Sequence, residues 1–177
     1  AGAKALIVER NALGSGASGH GVGSLAVPVH FSEPLEHARF MRHAINVLKW
    51  KAPQIAEETG IDILLRELPS LEVARDEGTW EYMQEWRPKV GQKTLLDAEE
   101  VLRLEHRLTS DILGGCIEEG NAQVDSYRLT LAFAKGAEMQ GAEIVIDEAT
   151  GLERIGERVT GVVTPRGTIG CDVVVLA

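Results

Sequence analysis

A carboxylate at the end of an apolar run, followed at once by a loop dense in glycine, is the part of this sequence best suited to chemistry. Lys4-Ala5-Leu6-Ile7-Val8 is apolar without alternation and runs into Glu9-Arg10. From Gly14 to Gly23 the chain then places five glycines in ten residues. An unalternating apolar run ending in a charge predicts a buried parallel strand, and open α/β sheets bind ligands just beyond such strand ends. Glycines this dense indicate backbone that passes close to another group. A phosphate-bearing cofactor is the group that best uses exposed backbone amides.

Gly14-Ser15-Gly16-Ala17-Ser18-Gly19 matches G-x-G-x-x-G in form. In a dinucleotide fold those glycines follow the first strand, and an acid follows them by about 20 residues. Here the acid, Glu9, comes first, and Glu33 and Glu36, at about the right distance downstream, open a helical pattern. Lys4–Glu9 therefore reads as the second strand of a Rossmann unit, with the fingerprint proper expected upstream of Ala1. Two plainer readings stand beside this one: Glu9 as a solvated strand terminus, and the loop as a structural turn.

Other chemistry-bearing residues form no constellation. His37 and His43 are six apart, off the i, i+4 spacing of a helical metal pair. Ser18 lacks the strand–turn–helix elbow of a hydrolase nucleophile. Cys116 and Cys171 have neither metal nor redox spacing and read as free thiols in a reducing compartment. A formal net charge of −9 argues against a nucleic-acid surface. No run reaches the ~18 apolar residues of a membrane span. A soluble, cytoplasmic protein is the expectation, with peripheral membrane association left open.

The elements that must position Glu9 and the loop read as follows. Ser32 to Gly60 is helical: Ser32 caps, Glu33 and Glu36 suit the first turn, and Pro34 is tolerated there. Leu35, Ala38, Met41, Ile45 and Leu48 form one apolar stripe, and Pro53 kinks or restarts the helix. Ile61–Arg66 and Ser70–Ala74 read as strands joined around Pro69. Glu77–Trp86 reads as a helix whose Trp80, Tyr82, Met83 and Trp86 form a small core or line a pocket. Asp97-Ala98-Glu99-Glu100 is a capping box opening a helix to about Glu105. Gly114–Glu119 is a strand, and Asp125 caps a helix to Gln140 with Leu129, Ala132, Phe133, Gly136 and Met139 on one face. Gly141 closes it and Glu143–Asp147 follows as a strand, half of a βαβ unit. Gly151–Ile155, Arg158–Thr164 and Thr168–Cys171 form an antiparallel meander. Asp172–Ala177 reads as another buried parallel strand, and the chain as cut from something longer.

Ala5-Leu6-Ile7-Val8-Glu9-Arg10 with the glycine loop and Gly23 resembles the second-strand region of FAD-dependent amine and amino-acid oxidoreductases. That family includes D-amino-acid oxidase, glycine oxidase, sarcosine oxidase and D-amino-acid dehydrogenase. Gln123-Val124-Asp125, Gly141-Ala142-Glu143-Ile144, Arg158-Val159-Thr160-Gly161-Val162 and Asp172–Ala177 follow in the family's order. The resemblance implies an α/β fold: a partial Rossmann-like FAD-binding domain at 1–60 and 112–177, an inserted α+β segment of a substrate domain at 61–111, and the small meander. It implies FAD as cofactor, with Glu9 on the adenosine ribose and Arg10 over the adenosine half. Ala17 and Ser18 would lie toward the pyrophosphate, Val22, Gly23 and Ser24 beside the isoalloxazine ring, and Ala149 would contact adenine through its backbone. His20 would be a loop residue, near the flavin or merely tolerated. The implied reaction is oxidation of the C–N bond of a small amine or amino acid by hydride transfer to flavin. The implied imine then hydrolyses. No catalytic residue is named and no metal is expected. The alternatives are a nicotinamide-dependent dehydrogenase using Gly14–Gly19, and a non-catalytic fragment binding no cofactor.

Overall fold

A computed structural model describes residues 2–27, 35–90 and 93–177. In chain order the elements are β1 (Leu6–Glu9), α1 (Ala17–His20), β2 (Ser24–Leu25), α2 (Leu35–Thr59), β3 (Arg66–Glu67), β4 (Ser70–Ala74), α3 (Glu77–Val90) and β5 (Lys93–Asp97). They continue as α4 (Ala98–Leu104), β6 (Gly114–Glu118), β7 (Ala122–Gln123), α5 (Ser126–Met139), β8 (Glu143–Ile146), β9 (Gly151–Ile155), β10 (Arg158–Thr164) and β11 (Gly167–Gly170). The chain forms two compact units. Unit 1 is Ala1–Gly21, Ile55–Ile61 and Ser126–Ala177; unit 2 is Val22–Gln54 and Asp62–Asp125.

In unit 1, β1 and β8 pair in parallel with Leu6 opposite Glu143 and Glu9 opposite Ile146. The ladder runs one residue further at each end, through Glu143 N to Ala5 O at 3.0 Å and Asp147 N to Glu9 O at 2.9 Å. α5 feeds β8 through Gly141 at φ +90°, a left-handed conformation that glycine adopts without strain. The expected parallel pairing is present. The expected burial is not: Leu6 and Ile7 are 38% and 37% exposed, because successive strand residues face opposite sides and two strands cover neither face. α5 also turns differently from expectation, burying Ala132 and Ala134 and leaving Phe133 and Met139 exposed. The methyl of Thr59 takes the space beside Gly136, so the small-residue side packs and Phe133 points away.

β9, β10 and β11 form the expected meander, turning at Gly156 and Gly167, both at positive φ. Residues 172–177 are not a strand, and Val173, Val175 and Leu176 are exposed. An apolar run becomes a parallel strand only where a neighbour offers an edge, and among the described residues none pairs with it.

Unit 2 holds two antiparallel sheets, β2-β7-β3 and β4-β6-β5. Val27, Ala38 and Ile45 form one core, with Leu25 and Met41 packed against it. The expected α2 stripe is therefore ordinary packing. α2 carries Pro53 inside a continuous helix without restarting, and Gly60 at φ +73° follows its end. The expected cap and first turn, Ser32 to Pro34, lie outside the described residues, as do the side chains of Leu35 and Trp86. The strand expected at Ile61–Arg66 shrinks to β3, because Asp62 Oδ1 accepts the Leu64 N–H at 2.9 Å and Leu64 adopts φ +53°. An aspartate-seeded turn of that kind breaks a ladder.

A second core joins Ala74, Met83 and Cys116, with Trp80 and Leu95 against them. Trp80 and Met83 are packing groups of this core, and Tyr82 is buried. Asp97 and Glu100 form the expected capping box: Glu100 N donates to Asp97 Oδ1 at 2.8 Å, and Asp97 N to Glu100 Oε2 at 2.9 Å. Among the described residues, no helix is long and apolar enough to cross a membrane.

Candidate cofactor-binding site

Glu9 ends β1 half-buried, and its Oε1 accepts the Asn11 N–H at 2.9 Å. That bond orients the carboxylate at the carboxyl end of a parallel strand. Because β8 runs alongside in register, Asp147 N bonds to Glu9 O, and Glu148 and Ala149 follow in the chain beyond the end of β8. Arg10 Nη1 lies 3.9 Å from Glu148 Oε1. Both side chains are largely exposed, so the pair contributes little by itself. Parallel pairing thus brings Glu9 beside Ile146 and Asp147, and Arg10 near Glu148, across more than 130 residues of sequence.

The glycine loop is built against the start of α5. Ser15 N donates to Ala12 O at 2.9 Å, and Gly14 sits at φ +71°. A Cβ on Gly14 would lie 2.6 Å from Tyr127 Cδ2, and one on Gly19 would lie 2.0 Å from Gly14 O. Ser126 Oγ donates to Ser18 O at 2.5 Å and reaches Gly21 O at 3.2 Å. His20 Nδ1 lies 2.9 Å from Gly16 O, so this ring closes α1 on itself. Gly14 and Gly19 are therefore required by the protein's own packing. Gly16 differs: it is the N-cap of α1, and a Cβ there would meet nothing within 4 Å. Ala17 and Ser18 follow in the first turn, where amides have no intrahelical acceptor. Gly14–Gly19 opens a helix of only four residues, not the long crossover helix of a nicotinamide fingerprint.

Val22, Gly23 and Ser24 belong to unit 2. Val124 N donates to Gly23 O at 3.0 Å and Gln123 Nε2 to Val22 O at 2.9 Å, while Ser24 lies opposite Gln123 in the ladder. Gly23 has φ +70°, and a Cβ would lie 1.8 Å from Val124 O. Only glycine fits there. The Val22 side chain is 78% exposed.

Sequence reasoning missed Asn11, Ser126 and Tyr127 as supports of the site, and Gln123 and Val124 as the strand that holds Val22–Ser24. Gln123-Val124-Asp125 carried a family signal, but side-chain support of a loop from a distant helix start has no periodicity to read.

The shifted carboxylates lie elsewhere. The backbone amide and hydroxyl of Thr79 hold Asp76 below the usual range, the hydrogen bond from Arg107 lowers Glu105 to about 2, and bonds from Thr109 and Arg75 lower Asp111. These are exposed caps and surface pairs, not an acid–base constellation. Among the described residues no group of three His, Cys, Asp or Glu could hold a metal ion.

Two features of unit 1 can meet a polar ligand: a carboxylate oriented at the end of a parallel strand, and the open space beside Gly16. The fold is that of an α/β FAD-binding protein. More narrowly, the chain belongs to the DAO family of FAD dependent oxidoreductases, which matches residues 1–177.

Among its relatives, glycine oxidase from Geobacillus kaustophilus is 30% identical over 98% of this chain and 48% of that protein. D-amino-acid oxidase from Bradyrhizobium diazoefficiens is 32% identical over 70% of this chain and 30% of that protein. The crystal structure of glycine oxidase from Bacillus cereus superposes with a TM-score of 0.78 at 29% identity, covering 97% of this chain and 48% of that one. The chain spans less than half the length of these relatives.

Proposed function

We propose that this chain is the cofactor-holding part of an FAD-dependent enzyme that oxidises the C–N bond of a small amino acid or amine. Bound FAD would supply the two-electron acceptor, and the imine product would hydrolyse in water. Glu9 accepts hydrogen bonds from the ribose hydroxyls, and Arg10 lies over the adenosine half. The amides of Ala17 and Ser18 face the pyrophosphate, and the Ala149 backbone meets adenine. Val22, Gly23 and Ser24 line the isoalloxazine, offering backbone groups at fixed positions. The observation that carries this reading is Glu9: a half-buried carboxylate held by Asn11 N–H where β1 and β8 emerge together. Residues 1–60 and 112–177 act as the FAD-binding domain and 61–111 as part of a substrate domain, a division by function that cuts across the two compact units. The cellular location that suits two free thiols and no described membrane-spanning helix is the cytoplasm.

The test uses the full-length protein. A yellow protein with stoichiometric FAD that turns over glycine, D-amino acids or secondary amines is the expected result. A colourless protein that binds NADH would overturn the reading. Replacing Glu9 by Gln removes the charge that strengthens the ribose bonds and is expected to weaken FAD about tenfold, measured by fluorescence titration of the apoprotein.

A further inference from the structure

Unit 2 contains a buried set of charges that the proposed chemistry does not use. Glu118, at the end of β6, has a side chain only 2% exposed, and its Oε1 accepts Arg42 Nη2 at 2.6 Å. Its Oε2 lies 3.3 Å from Nζ of Lys93, which is 3% exposed and directly opposite in β5. Lys93 also stands 3.8 Å from Glu72 on β4. Two turns along α2 from Arg42, Lys49 Nζ donates to Gly120 O at 2.8 Å and Glu67 Oε2 at 2.7 Å. Asn121, 3% exposed, donates Nδ2 to Ser70 Oγ at 2.7 Å, while its backbone carbonyl accepts the Leu68 N–H at 3.2 Å. The corner from β6 to β7 is thus tied at Glu118, Gly120 and Asn121.

Stability alone is a poor reason for this arrangement. Removing charges from water costs several kcal/mol per ion, and apolar residues of the same volume often do as well or better. What directional bonds add is position. The tied corner leads straight into β7, and β7 with Val124 holds the backbone of Val22–Leu25 by the bonds described above.

We propose that Glu118, clamped between Arg42 and Lys93, is a positioning residue that sets the placement of Val22–Ser24 through β7. It rests on the reading that these three residues lie beside the isoalloxazine, and it adds the device that keeps them there. Arg42 serves the same end by a hydrogen bond to one carboxylate oxygen, and Lys93 by an ion pair facing the other.

The experiment compares full-length wild-type protein with Glu118→Gln and with an apolar triple variant, Arg42→Met/Lys93→Met/Glu118→Leu. In both, amide exchange at Gln123 and Val124 is expected to rise about tenfold, and the flavin midpoint potential and visible band to shift. In the triple variant this is expected with thermal stability at or above wild type. Exchange and potential both unchanged in the stable triple variant would overturn the clamp, leaving Glu118 a packing residue. Faster exchange with an unshifted potential would overturn the role toward flavin, and would do so by removing Val22–Ser24 from the isoalloxazine. A wild-type protein lacking flavin would instead sink the functional reading itself, and the exchange measurement, which needs no flavin, still decides the clamp.

Discussion

At the scale of single residues, the glycines of the loop separate by what stands next to them. Gly14 meets the Tyr127 ring and Gly19 the Gly14 carbonyl, whereas the space beside Gly16 is open. The same substitution should therefore act differently at neighbouring positions. Gly14→Ala pushes a methyl into Tyr127 at positive φ and is expected to destabilise the protein by about 1–3 kcal/mol. Gly16→Ala, at φ −90°, is expected to leave stability within about 0.5 kcal/mol while weakening FAD, because the added methyl occupies the side on which phosphate would approach. Paired denaturation and FAD titration of the two variants check this. Weakened FAD with Gly14→Ala alone would place the cofactor elsewhere. Glycine density was legible in the sequence, but which glycines the protein's own packing requires was not, because Tyr127 reaches the loop from 113 residues away.

Among the elements, those set by local rules appear where the sequence puts them. The Asp97/Glu100 capping box is a four-residue signal and forms α4 as written. Asp97→Ala should cost about 1 kcal/mol, read as a lower denaturation midpoint at constant slope, and Asp97→Ser should restore most of it. Elements set by partners were harder to see. β2, β3 and β7 have two residues each, too short to show alternation, and exist because they pair with one another. β5 was missed because Lys93-Thr94-Leu95-Leu96-Asp97 has just two adjacent apolar residues and no alternation, and its buried Lys93 is matched by Glu118 opposite and Glu72 nearby. The Asp62 turn erased most of an expected strand through one side-chain bond.

For the whole molecule, alkaline pH gives a clean test of the unit 2 core. Burial, with the charges of Glu72 and Glu85 adding to it, pushes Tyr82 up to about 12 from 10.0. The folded state thus holds its phenolic proton more tightly than the unfolded state. Its contribution is complete below pH 10 and is lost as pH rises from about 10 toward about 12. Tyr82→Phe should flatten the stability profile across that window, measured by denaturant unfolding at stepped pH. The 177-residue chain alone is expected to bind FAD weakly, because the cofactor edge rests on a two-stranded parallel sheet exposed on both faces. Tight stoichiometric binding by the isolated chain, measured by calorimetry, would overturn the division of function made here.

The sequence by itself determined the family, the parallel type of Glu9's strand, the capping box and the meander. Each is written in residues close together, or in an order of motifs that survives without knowing distances. Tertiary structure decided burial and support. It left Leu6, Ile7 and Val173 exposed where apolar runs suggested core, since burial depends on what covers a strand. It assigned Tyr127 and Ser126 to the glycine loop, and Arg42 and Lys93 to Glu118. Such contacts join residues tens of positions apart by shape and charge, and no period or spacing in a single sequence records them.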